Sequence, residues 1–555
     1  MPLNHTINFI PAGGVNDGIT ANDEAFKRLI DTVRTPVIIY FPKGNYYFTK
    51  PVVLPQNVSI QGISYDSTLL TFKLDTPDAL IKIIGNTTNI SSPILSGLYK
   101  DNQTITVSDP QVFSIGDHAI IQENDSALIT SSWAKKSTGQ IVKIDSIISG
   151  GLHLASPLRR SYIGGNAKIV KLAMVQNVAI ENLKIKRLDT TTEQSSNILF
   201  EYATNCVVKC IESQNCNFAH IELDNSTNID VSGCYIHNAF LYGDDGEGYG
   251  VVAQYTTGEC LITDNIFDSL RHPMLMQAGS NGNVFSYNYA IHPIWVEAGY
   301  PVDAAGSIVL HGNYPYANLM EGNVVQNVAV DNSHGENGPY NTFYRTRAEL
   351  YGIVMSLNAG DSENFVGNEI TGTGFLKGIF EIIGTNEFEF GNNQNGTIIP
   401  AGTSSIKDSS LYLPAPPPYY LANASWPPIG PPNAINKHII AAEDRYVKRF
   451  FTSCSVPSTT KDTSKTMVFT AAKEGLNISV FPNPTTDIAY LSFQNNSTQL
   501  HTAEVTVLST LGKVLFNVHN NIEVNLGTLP EGMYFLKIRS SNNNETTIKV
   551  IKQNQ

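Results

Sequence analysis

A right-handed parallel β-helix is the fold class that this sequence predicts, on three observations. A short phrase returns between Asn182 and Asn392: Ala-Ile-Glu-Asn182, Val-Lys-Cys210, Ser-Gly-Cys234, Thr-Asp-Asn265, Ser-Tyr-Asn288, Glu-Gly-Asn323, Val-Gly-Asn368 and Phe-Gly-Asn392. The phrases stand roughly 23 residues apart or about twice that, the spacing of solenoid coils that carry loop insertions. β-Branched and aromatic residues alternate beside each phrase, as strands with one buried face require.

Stacked strands lie about 4.8 Å apart, so an asparagine at the same turn of each coil can bond its own turn and the amides of its neighbours. Asn265, Asn288, Asn323 and Asn368 are therefore expected to stack at one turn, with Cys210 and Cys234 in the same slot as small buried packing residues. The six cysteines read as buried free thiols rather than a disulfide framework.

The chain has 555 residues, a formal charge of -13 and 15% charged residues. Solenoids lengthen coil by coil, so this length does not demand many domains. There is no Lys/Arg stripe of a nucleic-acid binder and no apolar run long enough to span a bilayer. A soluble monomer is expected.

Taken in order, residues 1–90 read as a cap and first coils, with a helix start at Thr20 to Asp23 and apolar residues Phe26, Leu29 and Ile30 on one helical face. Residues 91–174 read as an irregular β insertion, 175–403 as the central coils, and 404–451 as a proline-rich wrap with a closing segment. Residues 452–474 read as a polar linker, and 475–555 as a small β-sandwich of short strands and tight turns.

Two stretches carry a family resemblance. Asn16-Asp17-Gly-Ile-Thr20-Ala-Asn-Asp23, the helix after it, Val37-Ile-Ile-Tyr40-Phe-Pro42-Lys-Gly44-Asn-Tyr46 and Val58-Ser-Ile-Gln-Gly62 resemble the N-terminal cap of the pectate-lyase superfamily, secreted carbohydrate-active β-helix proteins. Pro482-Asn483-Pro484, Leu511-Gly512-Lys513-Val514 and Leu529-Pro-Glu-Gly532-Met-Tyr534 resemble the C-terminal sorting domain of type IX secretion. The second resemblance implies export by that machinery, to release or surface attachment, and a leader that Met1-Pro-Leu-Asn-His-Thr6 does not supply.

Aligning the coils on the asparagine slot brings polar residues into one row, one strand earlier: Glu201, Asp224, Gln254, Gln277, His311, and then Arg345 or Arg347. A merely solvated face would hold Lys, Glu and Thr, whereas acids, amides, His and Arg in succession suit the floor of a polysaccharide groove. Arg271, His272, His334, Asn341 and Tyr344 approach the same face by this register. Tyr242-Gly-Asp244-Asp245-Gly-Glu247 suits a hard cation such as Ca2+, an acid/base pair for glycoside hydrolysis, or a plain acidic turn.

The pectate-lyase resemblance implies a polysaccharide substrate and admits two chemistries. A lyase acting by β-elimination on an anionic, uronate-containing glycan needs cations and a base, for which His311, Arg345, Arg347, Arg271 and Tyr344 are the candidates. Gln254, Gln277, His272, Asp224, His334 and Asn341 would bind the substrate, and Asp244, Asp245 and Glu247 a metal. A glycoside hydrolase needs paired carboxylates, available in Asp224, Asp244, Asp245 and Glu247. The full catalytic signatures of pectate lyases and polygalacturonases are absent: Asp244-Asp245 is similar to the latter's pair, without its His-Gly and Arg-Ile-Lys partners. The lyase reading is favoured because Arg and His concentrate in the central coils. A non-catalytic, glycan-binding or adhesive solenoid is the further alternative.

Overall fold

The computed structural model describes residues 5–33, 36–243, 246–297, 299–421 and 424–454, together with 478–481, 485, 487–493, 504–509, 514–519, 523–539 and 545–552. The chain divides into two compact units, Met1–Ser455 and Val456–Gln555.

The first unit is the predicted parallel β-helix. Each coil contributes three strands, which stack into three lanes. Lane one holds Ala203–Lys209, Thr227–Ser232, Leu261–Thr263, Val284–Ser286, Leu319–Glu321, Thr342–Tyr344 and Asn364–Val366 within a 13-stranded sheet. Lane two holds Glu212–Gln214, Tyr235–His237, Ile266–Asp268 and Tyr289–Ile291; lane three holds Ile198–Glu201, Ala219–Asp224, Tyr249–Gln254, His272–Met276 and Ile308–Leu310. Lanes two and three merge into one 21-stranded sheet, because Val324–Val330 and Arg347–Met355 run through the corner between them with a register shift at Val325/Asn327. Alternation packs the interior of lane three: Ile198, Phe200, Ile221, Leu223, Val251, Ala253, Met274, Met276, Ile308 and Leu310 are fully buried. Glu201, Glu222, Asp224, Gln254, Gln277 and His311 fall on the opposite face.

At the N-terminus, helix α1 (Asp23–Thr32) buries Ala25, Phe26 and Leu29. Phe26 lies in a ring cluster with Phe9, Phe41 and Phe48, which shields the first coil from water.

The asparagine ladder forms at the turn from lane one to lane two. Asn265 Nδ2 donates to Asn288 Oδ1 at 3.0 Å and Asn288 Nδ2 to Asn323 Oδ1 at 3.0 Å. Thr346 interrupts the ladder, and Asn368 Nδ2 resumes it on Asn392 Oδ1 at 2.9 Å. Cys234 takes the ladder slot, its backbone N–H donating to Asn265 Oδ1 at 2.9 Å.

Cys210 is one residue out of register. Strand pairing aligns Lys209 with Ser232 and Ser232 with Thr263, so Cys210 stands at the corner before the slot, with a φ of 56° shared in kind by Asn182, Asp264, Tyr287 and Arg345. A corner residue with positive φ aims its side chain away from the ladder. The packing expectation for Cys210 is therefore corrected: it forms a disulfide with Cys454. Cys206, Cys216, Cys234 and Cys260 are buried free thiols.

Each corner of the coil carries its own attachment. Residues 404–454 lie along the lane one to lane two corner and end in helix α2 (Ala441–Val447). Loop residues 238–243 and 246–248, and 292–297 and 299–307, stand at the lane two to lane three corner. A closed, antiparallel six-stranded barrel built from strands between Asn86 and Ala173 leaves at the lane three to lane one corner, with its own apolar core around Ile105, Ile121, Leu152 and Ile169.

In the second unit, two sheets of three and four strands share one core that includes Ala489, Val505, Val507, Val524, Leu536 and Val550, a β-sandwich. Tyr534 Oη donates to Pro530 O at 2.7 Å, and Gly532 has a φ of 152°, which ties Leu529-Pro-Glu-Gly532-Met-Tyr534 into one corner. Pro482-Asn483-Pro484, Leu511-Gly512-Lys513 and the linker residues 455–474 lie outside the described residues.

Candidate active site

Lane three brings the acids, amides and histidines of the expected row together at its C-terminal edge. Glu201 pairs in register with Asp224, and Asp224 with Gln254. Gln277 N bonds Ala253 O, His311 N bonds Met276 O and Asp331 N bonds Leu310 O, so the row runs Glu201, Asp224, Gln254, Gln277, His311, Asp331.

Its acidic end contains a carboxyl that the sequence reading passed over. Glu222, two residues before Asp224 on the same face, accepts from Ser196 Oγ at 2.6 Å on Oε2 and from Gln254 Nε2 at 3.0 Å on Oε1. Gln277 Nε2 in turn donates to Gln254 Oε1 at 2.7 Å, so the amides form a directed chain that ends on Glu222. Glu222 and Asp224 lie close enough to interact electrostatically. Burial raises both, and the Glu222 charge pushes Asp224 well above the usual carboxylate range. Asp224 Oδ1 accepts no hydrogen bond. Two donors favour the anion on Glu222, whereas the surroundings of Asp224 favour its neutral form. Glu201 is raised by burial, and Lys82 draws it partly back down.

At the other end, His311 Nδ1 lies 2.8 Å from Asp331 Oδ2. The His311 ring is 5.8 Å from that of His272 and 4.9 Å from that of His334. Burial, with the charges of His311 and Arg271, pushes His272 down to about 3; its Nδ1 lies 2.9 Å from Gly306 O. Burial and His311 also lower His334. Burial opposes ionisation of Asp331, yet its bonds to His311 and to Ser333 hold it below the ordinary value.

Four expected site residues are elsewhere. Arg345 is a corner residue of lane one whose guanidinium donates to Ile429 O and Pro431 O, both at 2.8 Å, and to Asp408 O at 3.0 Å. Tyr344 Oη also donates to Asp408 O. Arg347 pairs with Glu369 at 2.7 Å and donates to His438 O at 2.8 Å. These three hold the closing segment at the lane one to lane two corner, across lane one from the row. Asn341 is buried in a second ladder, taking Asn318 Nδ2 at 2.9 Å and donating to Glu363 Oε1 at 3.1 Å, so it is structural.

Arg271 lies at the N-terminal edge of lane three, where it donates to Gly243 O and sits 5.9 Å from the Trp295 ring, bracing the rim. Of the expected metal ligands, Asp244 and Asp245 lie outside the described residues, and Glu247 is half-buried. Among the described residues, no three His, Cys, Asp or Glu side chains meet in a group suited to a metal ion.

A capped three-lane coil with a polar row along one lane defines the pectate-lyase class of parallel β-helix proteins. The chain belongs to the rhamnogalacturonase A/epimerase, pectate lyase-like family, whose model matches residues 7–300. Residues 479–553 match the secretion system C-terminal sorting domain, which marks the protein for type IX secretion, to release or surface attachment. No curated protein sequence matches the chain. Among solved structures, it is similar to the tailspike of Acinetobacter baumannii bacteriophage AP22 in complex with capsular saccharide, at 12% identity over 70% of each chain with a TM-score of 0.37. It is also similar to the Yersinia enterocolitica family 28 exopolygalacturonase, at 14% identity over 71% of this chain and 79% of that one, TM-score 0.33. A third is the A-module of an Azotobacter vinelandii mannuronan C-5 epimerase, at 12% identity over 69% and 98%, TM-score 0.25. These likenesses carry no chemistry over to this chain.

Proposed function

We propose that the protein is a glycoside hydrolase that cleaves a polysaccharide laid along the Glu201 to Asp331 row. The observation that carries this reading is the pair of buried carboxyls Glu222 and Asp224 on one face of one strand, Glu222 held by Ser196 and Gln254 and Asp224 raised well above the usual carboxylate range by burial and the Glu222 charge. Asp224 is the general acid that protonates the leaving glycosidic oxygen, the task for which a carboxyl is kept neutral by burial and a like charge. Glu222, ionised and fixed by Ser196 and the amide chain, keeps the proton there. Glu201 is the second carboxylate, which attacks the anomeric carbon. It pairs in register with Asp224 on the adjacent strand, about 4.8 Å away between backbones, and a retaining mechanism calls for two carboxyls close together in this way.

The His311–Asp331 pair favours a second reading, β-elimination on a uronate polymer with His311 as base. Incubation with polygalacturonate, rhamnogalacturonan, alginate and xylan separates the two. Reducing ends released with retained anomeric configuration are expected, and Asp224→Asn and Glu201→Gln should each cost about 10²-fold or more. Unsaturated products with ultraviolet absorbance, abolished by His311→Ala and not by Glu201→Gln, would replace hydrolysis with elimination.

A further inference from the structure

We propose that the inserted barrel is a specificity element of this cleft, and that Trp133 is the platform on which one pyranose ring of the polysaccharide stacks. The inference rests on the reading of lane three as the substrate floor. The barrel leaves the coil between Ile81–Ile84, a lane-three strand, and Val175–Gln176 of lane one, at the corner that borders the polar row. Its segment 124–138 folds back along that corner, beside the row, and is fastened there. Asn313 Oδ1 accepts from the N–H groups of Thr130 and Ser131, both at 3.0 Å, and Thr256 Oγ1 donates to Ser137 O. Asp125 closes the segment by accepting from Lys136 N at 3.0 Å.

The short turn Ser132–Ala134 in this segment presents Trp133, which is 42% exposed. Its indole stands 5.8 Å from the Tyr255 ring and 5.4 Å from the His334 ring, nearly perpendicular to both. Tyr255 follows Gln254 and is pushed up to about 12 by burial and the nearby Asp224 and Glu222 charges, so it marks the acidic end. His334 touches His311 and marks the other. Trp133 therefore spans the row from its Gln254 coil to its His311–Asp331 end. A large aromatic surface partly open to water, braced edge-on by two rings on a segment fastened by hydrogen bonds, suits the apolar C–H face of a sugar ring while the amides and carboxyls of the row take its hydroxyls.

Native-gel retardation of the full chain by polygalacturonate, rhamnogalacturonan, alginate and xylan tests this, alongside Trp133→Ala, Trp133→Leu, Trp133→Phe and Asp224→Asn. The wild type should be retarded by at least one polymer. Ala and Leu should weaken that binding about tenfold or more, with Phe staying within about threefold, all three keeping wild-type melting. Asp224→Asn should still bind. Equal binding by Trp133→Ala, full rescue by Leu, or no retardation by any polymer overturns the proposal. Asp224→Asn and Glu201→Gln cleaving at wild-type rate, while Trp133→Ala still loses binding, would leave the platform standing and remove the catalytic reading.

Discussion

The Arg445 guanidinium holds both carboxylate oxygens of Asp264 at 2.8 Å, across 181 residues of chain. Asp264 is a corner residue with a φ of 58°, and its side chain reaches the closing segment as those of Cys210, Tyr287 and Arg345 do. Burial still pushes Asp264 up to about 6, more than Arg445 draws it down. Arg445→Ala should therefore cost about 3 kcal/mol at pH 8, where it strands a buried carboxylate, and clearly less at pH 5, where Asp264 takes a proton. Thermal melts at the two pH values check this; an equal loss at both would show that the pair is not electrostatic in origin.

The corner position of Cys210 makes a countable prediction. Of six cysteines, four are free and two are joined. The exported protein, denatured without reductant, should titrate four thiols, and six after reduction. Cys454→Ser should lower stability by roughly 2–4 kcal/mol.

Activity should be lost as pH rises through the elevated Asp224 value, since the acid then lacks its proton. The Glu222 charge is part of what raises Asp224, so Glu222→Gln should move the alkaline limb of the kcat profile to lower pH. An unmoved limb would assign the acid to another group.

Glu363 is fully buried and carries one oxygen without a partner. Burial and the charge of Glu387 hold it well above its usual value, and Glu387 is itself pushed up to about 7 by burial. Groups with raised folded-state values contribute stability that is complete below the unfolded carboxylate range and is lost as pH climbs through the folded values. Glu363→Gln removes that loss and gives Asn341 an amide partner. It should raise the melting temperature by about 1–2 °C at pH 8 and change little at pH 4.

The coil, its cap and the sorting sandwich were legible because each repeats a local pattern. The row was legible as far as His311, because an asparagine or cysteine phrase marks each coil up to Asn323. The next rung is Thr346, which the asparagine pattern skips, and lanes two and three fuse there through Val324–Val330. One coil was thereby lost: the row read from the sequence passes from His311 straight to Arg345 or Arg347 and omits Asp331, the true neighbour of His311. Glu222 was visible only through strand alternation from Asp224. Nothing in the local sequence of residues 124–138 shows that a separate barrel lays Trp133 beside that row, since the contact spans more than 100 residues.

The ladder also has a grain. Asn265 sends both its backbone N–H and its side-chain amide to the Oδ1 of Asn288, and Asn288 sends both to Asn323, so each of these coils is completed by the one after it. A tandem copy of the 23-residue stretch between these rungs would slip between its parents with each donor met, whereas half a coil would leave two unmet. Cleft length in proteins built this way can change by whole coils, adding or removing one position of the row at a time while the chemistry at Asp224 stays where it is.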